Sequence, residues 1–137
     1  MIEECLNFNL RKANRVVNKI YDGHLQHCGV KSGQFTMLRV IHLHKQTTNR
    51  DLQALMLIDQ TTLSRGLKPL IRDGFIQVTQ GEDLRVKLLA LSPKGIALYK
   101  EAKKCWKKAQ TDLIKRLGSD FPEELVSLTQ KIAALNS

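Results

Sequence analysis

Gln60, Thr61, Thr62, Ser64, Arg65 and Lys68 put six short hydrogen-bonding or cationic side chains within nine positions. No nucleophile stands beside a base among them, so the chemistry they offer is recognition. Hydroxyls and an amide can meet base edges, and the cations can meet phosphates. A second cation, Arg85, sits in the polar run Gln80-Gly81-Glu82-Asp83-Leu84-Arg85. At a turn tip it would lie against phosphate or enter the narrow minor groove, where the potential is most negative.

Such residues need a helix and a hairpin to hold them. Asp59 is placed to cap a helix, with Ile58 and Leu63 at the staple positions around it. Leu63, Leu67, Leu70 and Ile71 follow a helical period and predict one apolar face, opposite the six polar residues. Gly74 fits the left-handed position that ends a helix, with Leu70 and Phe75 set for the accompanying apolar contact. Pro69 predicts a kink, because it lacks an amide and crowds the carbonyl of Arg65. Residues 75–79 and 86–91 are rich in branched and apolar side chains and predict two strands around the polar tip.

The flanking chain is helical by pattern. Leu6, Leu10, Ala13, Val17, Ile20, His24 and Cys28 approach a seven-residue repeat over one long helix, with Gly29 as its stop. Ser32 is placed to cap a second helix carrying Phe35, Leu38, Val40 and Ile41. Thr48 and Asp51 resemble a capping box for a short helix that buries Leu52, Leu55 and Met56. That helix runs almost directly into the cap at Asp59, the layout of a helix-turn-helix. Ser92-Pro93 starts a long helix with the stripe Ile96, Tyr99, Ala102, Trp106, Ala109, Leu113 and Leu117, closed by Gly118. At ~1.5 Å per residue it is close to 40 Å long. A last helix starting near Asp120 or Pro122 would bury Leu125, Leu128, Ile132 and Leu135. The terminal stripes exceed what one small domain can cover, and a symmetric homodimer with interlocked terminal helices is the simplest solution. An internal bundle in a monomer is the alternative.

With 137 residues the chain holds one domain with a real core. Its net charge of +9 favours an anionic partner. The excess is not on the reading segment. From Arg50 to Lys87 six basic residues meet five acidic ones, whereas from Lys94 to Arg116 eight meet two. Pattern therefore identifies the reading head, and the lysines of the long helix read as a solvated face. The start, Met1-Ile2-Glu3-Glu4, is acidic and is not a signal peptide, and no apolar run reaches membrane-spanning length. Three cysteines without CxxC spacing argue against a disulfide scaffold and place the protein in a reducing cytoplasm.

Cys5 stands where the first helix begins, and free helix amides favour a reactive thiolate. It is the candidate peroxide or electrophile sensor, with Cys28 or Cys105, from either chain, as resolving thiol. The plainer reading is a small apolar residue near a terminus. His24 shares a helix face with His27 or Cys28, but no fourth ligand is evident and no metal is assigned. No glycine-rich phosphate loop, metal quartet or nucleophile-base pair points to an enzyme, and no cofactor is expected.

The chain resembles the MarR family of bacterial transcription regulators over nearly its whole length. The most specific part is Asp83-x-Arg85 followed by Leu91-Ser92-Pro93-Lys94-Gly95, similar to the family's D-x-R and L-T-x-x-G with serine in place of threonine. Residues 59–65 with Leu67-Lys68-Pro69-Leu70 resemble its recognition helix, Gly33-Gln34-Phe35 the start of its second helix, and Cys5-Leu6-x-Phe8-x-Leu10-Arg11-Lys12-Ala13 a subgroup within it. The resemblance implies a homodimer on a pseudo-palindromic double-stranded operator, usually a repressor. Release would come from a small aromatic ligand between the dimer helices and the DNA-binding lobe, or from oxidation of a first-helix cysteine. It also implies that Thr61, Thr62, Ser64, Arg65 and Lys68 face the major groove and that Asp83 braces Arg85. Tyr21, Arg39 and His42 read equally as a ligand pocket and as core contacts.

The expected fold is mainly α with a small β-hairpin wing (α+β), one domain over 1–137. Residues 33–92 would form the winged helix-turn-helix lobe, and 1–32 and 93–137 the dimerisation helices. A winged helix used for protein contacts is the competing function.

Overall fold

The computed structural model describes residues 4–136, and the start at Met1 to Glu3 lies outside them. Helix α1 (Leu6–Leu25) passes through a 3-10 turn (Gln26–Cys28) into α2 (Ser32–His44). Then come α3 (Asn49–Met56) and α4 (Gln60–Arg72), the antiparallel strands β1 (Ile76–Gln80) and β2 (Lys87–Leu91), the long α5 (Pro93–Leu117) and α6 (Phe121–Ala133). The expected mainly helical winged fold is what the chain adopts.

Local chemistry sets most boundaries. Asp59 accepts from the Thr62 amide at 2.7 Å, Thr48 from Asp51 at 3.2 Å and Ser92 from Gly95 at 3.0 Å, so three of the four expected caps form. Gly74 takes φ +80°, the Phe75 amide donates to Leu70 at 2.9 Å and the Gly74 amide to Ile71 at 3.1 Å. That pair of bonds closes α4 with a left-handed residue a side chain would strain. Pro69 lies inside α4, which continues past it to Arg72.

Four expectations need correction. The regular part of α1 ends at Leu25, and its last residues tighten into the 3-10 turn. Ser32 is the first residue of α2, not its cap. Its amide is taken by the Asp22 carboxylate at 2.7 Å, while the Gln34 side chain accepts from Lys31 at 3.1 Å. Leu55 and Ile71 are exposed, because each lies at the edge of its helix's apolar face. Leu125, Leu128, Ile132 and Leu135 of α6 are exposed too, along with Leu6, Phe8, Leu10 and Leu117. Among the described residues these apolar stripes stay open, apart from the Lys12 ammonium that lies 5.0 Å over the Phe8 ring.

One core joins the elements. Leu38 and Ile41 of α2, Leu52 of α3, Leu63, Leu67 and Leu70 of α4, Ile76 and Leu89 of the strands and Tyr99 and Ala102 of α5 are buried in it, and Leu25 closes its α1 side. Burial of this apolar surface is the dominant favourable term. Helix α1 packs along α5. Tyr21 donates a hydrogen bond to Gln110, and the His24 imidazole lies 3.1 Å from Asp112.

The lobe is stitched as well as packed. Strand register pairs Ile76 with Leu91 and Val78 with Leu89. Thr47, just before α3, exchanges backbone bonds with Leu89 of β2 at 3.0 and 2.8 Å. Ser92 donates from its hydroxyl to Gly74 at 2.5 Å and from its amide to Phe75 at 3.0 Å, so one residue ties the end of α4, the start of β1 and the start of α5. Gly95 lies where a Cβ would overlap the Phe75 carbonyl oxygen, so only glycine lets α5 approach this closely.

Candidate nucleic-acid interface

Helix α4 presents the six predicted polar residues together. Gln60, Thr61, Thr62, Ser64, Arg65 and Lys68 are all exposed, opposite buried Leu63, Leu67 and Leu70. The turn that feeds α4 is tight because Leu57 adopts φ +52° without being glycine. The Leu57 side chain is exposed, and the turn is held instead by the Gln53 carbonyl, which accepts from the Leu57 and Ile58 amides. A side-chain chain then crosses the turn. Gln53 of α3 donates to Gln60 at 2.6 Å, and Gln60 donates to Ser64 at 3.2 Å. Two members of the polar face are thereby pre-oriented. Gln53 is a supporting residue that periodicity alone could not assign.

The Thr62 amide, with its side chain, holds the Asp59 carboxyl below the usual carboxylate range. The cap therefore stays ionised at the helix N-terminus, where the helix dipole favours negative charge.

The wing tip is ordered by its own short-range bonds. Gly81 donates to Val86 at 2.8 Å and Val86 to Asp83 at 2.9 Å. One Asp83 oxygen accepts from the Arg85 amide at 3.0 Å and from Nε at 3.2 Å, and the other accepts from Nη2 at 3.1 Å. Arg85 is thus held in a fork yet remains 89% exposed. The same bonds keep the Asp83 carboxyl below its usual range. Leu84, 71% exposed at the tip, is an apolar neighbour that the charge pattern did not single out.

Between α4 and the wing lies an open groove of about 560 Å³. Leu67, Ile71, Val78 and Leu89 form its apolar part, and Lys68, Arg72 and Lys87 are its cations. Arg72 already pairs with Asp73 at 3.1 Å. Helix and wing therefore form one continuous, basic-rimmed surface, although the segment as a whole carries little net charge.

Cys5 is exposed and directly precedes α1. The twenty residues of α1 put it roughly 30 Å from Cys28. Cys28 lies instead 3.6 Å, sulfur to sulfur, from Cys105. Within one chain neither can resolve Cys5. His24 is engaged by Asp112, and among the described residues no three potential ligands gather for a metal. Arg39 lies over Trp106 and His42 against Tyr99, so both make contacts within the chain. No helix among the described residues is long and apolar enough to cross a membrane.

The sequence profile described as MarR family matches residues 30–87. The chain is 31% identical to the M. tuberculosis transcriptional regulator MosR in complex with DNA, covering 98% of this chain and 100% of that one with a TM-score of 0.83. A cysteine-to-serine mutant of MarR from E. coli, complexed with operator DNA, shares the fold at 22% identity, with 93% and 92% of the chains covered and a TM-score of 0.84. The Bacillus subtilis protein YwoH, an uncharacterized HTH-type transcriptional regulator, is 26% identical over 90% of this chain and 87% of its own length.

Proposed function

The chain belongs to the MarR family, and from that premise we propose that it binds a pseudo-palindromic operator as a homodimer and represses transcription until a small ligand or cysteine oxidation releases it. It is a transcription regulator and not an enzyme. The observation that carries the DNA reading is the pairing on one stitched lobe of an exposed polar face on α4 with an exposed arginine held by Asp83. A recognition helix fits the major groove and a wing arginine fits the minor groove beside it. Gln60, Thr61, Thr62, Ser64, Arg65 and Lys68 are the proposed major-groove set, and Asp83 with Arg85 the wing contact.

Residues 33–92 act as the reading lobe, with 1–32 and 93–137 as dimerisation helices. The uncovered apolar stripes of α1 and α6 support this division. A two-fold axis would present two α4 helices to half-sites about one helical turn apart. The protein would work in the cytoplasm, where its DNA is.

Selection of bound duplexes from a random pool tests the reading. An enriched inverted repeat is the expected result. No enrichment, with binding lost at physiological salt, would reduce the charge to non-specific attraction and favour a protein-contact module. Release is tested on the selected duplex. A panel of small phenolic acids should include one that lowers affinity if a ligand is the effector. Peroxide should lower affinity in the native chain but not in Cys5→Ser if Cys5 is the sensor.

A further inference from the structure

We propose that Cys28 and Cys105 are a two-electron redox pair that a hydroperoxide closes into an intrachain disulfide, latching the α1–α2 connector onto the middle of α5. The two sulfurs lie 3.6 Å apart, in van der Waals contact, although 77 positions separate the residues. Both are half-buried, so a small peroxide can reach them while another protein's thiol is poorly placed to do so. Burial pushes the Cys28 thiol up, with Cys105 and Glu101 adding to it, so the pair rests as a dithiol and its first oxidation is slow, while the contact between the sulfurs makes closure fast once one of them is oxidised. The site is distinct from Cys5, which lies beyond the far end of α1.

The chemistry balances with the peroxide as the oxidant. One thiol ionises, its sulfur attacks a peroxide oxygen and the O–O bond breaks; the leaving alkoxide, or hydroxide from hydrogen peroxide, takes up the proton the thiol released and departs as alcohol or water. The sulfenic acid formed is then attacked by the second sulfur. The S–O bond breaks, water leaves and the S–S bond forms. Contact between the sulfurs favours this second step over further oxidation of the sulfenic acid.

The latch has a mechanical meaning. Cys28 ends the 3-10 turn through which α1 feeds α2, and Cys105 lies beside Trp106, which stacks on Phe35 of α2 at 5.8 Å. Closure would pin the entrance of the lobe to the long helix and remove freedom from the unfolded chain.

The test uses the full chain with Cys5→Ser, treated with hydrogen peroxide or tert-butyl hydroperoxide, and does not depend on DNA binding. Intact mass should fall by two hydrogens, and non-reducing peptide maps should join Cys28 to Cys105. Thermal unfolding should rise by roughly 10 °C and return with dithiothreitol. The fluorescence of Trp106, the chain's single tryptophan, should be quenched by the adjacent disulfide and recover on reduction. Cys28→Ser and Cys105→Ser, each in that background, should show none of these changes. Two intact thiols after treatment, added oxygens without a cross-link, or a cross-link between chains would overturn the proposal.

Discussion

Asp83 grips Arg85 through the arginine's amide, Nε and Nη2 at 3.0 to 3.2 Å while leaving the guanidinium facing outward. Exposed ion pairs add little to stability, so the value of this one lies in aim. Arg85→Ala should weaken operator binding on the order of tenfold. Asp83→Ala should weaken it less and leave the melting temperature unchanged. Fluorescence anisotropy with the selected duplex, beside thermal melts, measures both. Equal affinity for native and Arg85→Ala protein would remove the wing from the interface.

Arg65 and Lys68 are expected to separate specificity from attraction. Arg65→Ala should cost on the order of tenfold and relax preference at one base position. Lys68→Ala should weaken all duplexes alike and reduce the salt slope by about one. Titrations on matched and scrambled duplexes at several salt concentrations would show the two patterns.

Asp59 links helix order to pH. Its folded carboxyl lies below its unfolded value, because the Thr62 N–H and side chain bond the charged form. The cap's stabilisation is complete above the unfolded carboxylate range and is lost as pH falls through the lowered folded value. Asp59→Ala should lower the melting temperature by roughly 3–5 °C at neutral pH. Asp59→Asn should retain most of the cap and flatten the acid dependence. Melts from neutral to acid pH would show an unchanged acid limb in Asp59→Asn if the cap were not responsible.

Two glycines should respond differently to alanine. At Gly95 the new methyl meets the backbone carbonyl of Phe75, which already accepts from Ser92, and the expected loss is about 1–3 kcal/mol. At Gly66 it meets the far end of the buried Met37 side chain, a flexible thioether that can shift aside, while the helix interior gains propensity. Gly66→Ala should therefore be close to neutral in urea unfolding. A neutral Gly95→Ala would contradict the close approach of α5 to β1.

The exposed stripe of α6 should hold the dimer. Leu128→Glu with Ile132→Glu should halve the mass seen in sedimentation and abolish cooperative binding to the inverted repeat, while the helical signal stays. A native chain that sediments as a monomer would refute the dimer directly.

Sequence reading found what short-range chemistry decides. The caps at Thr48, Asp59 and Ser92, the positive-φ stops at Gly29, Gly74 and Gly118, and the polar face of α4 all depend on neighbours a few residues away. The misses depend on distant partners. Asp22 displaced Ser32 as the cap because α1 folds back beside α2. Gln53 joined the reading face because two helices meet at a left-handed leucine. Cys28 met Cys105 only because α1 packs along α5. The exposed leucines of α6 were recognised as apolar, but which surface covers them is not a property of one chain's pattern.

The bridge between Thr47 and Leu89 ties the start of the helix-turn-helix to the base of the wing by backbone bonds rather than by a free linker. If α4 enters the major groove and Arg85 the minor groove, as proposed, a duplex held at both would have to supply much of any bend or twist itself. Easily deformed pyrimidine–purine steps between the two grips would then be selected even where no side chain touches them.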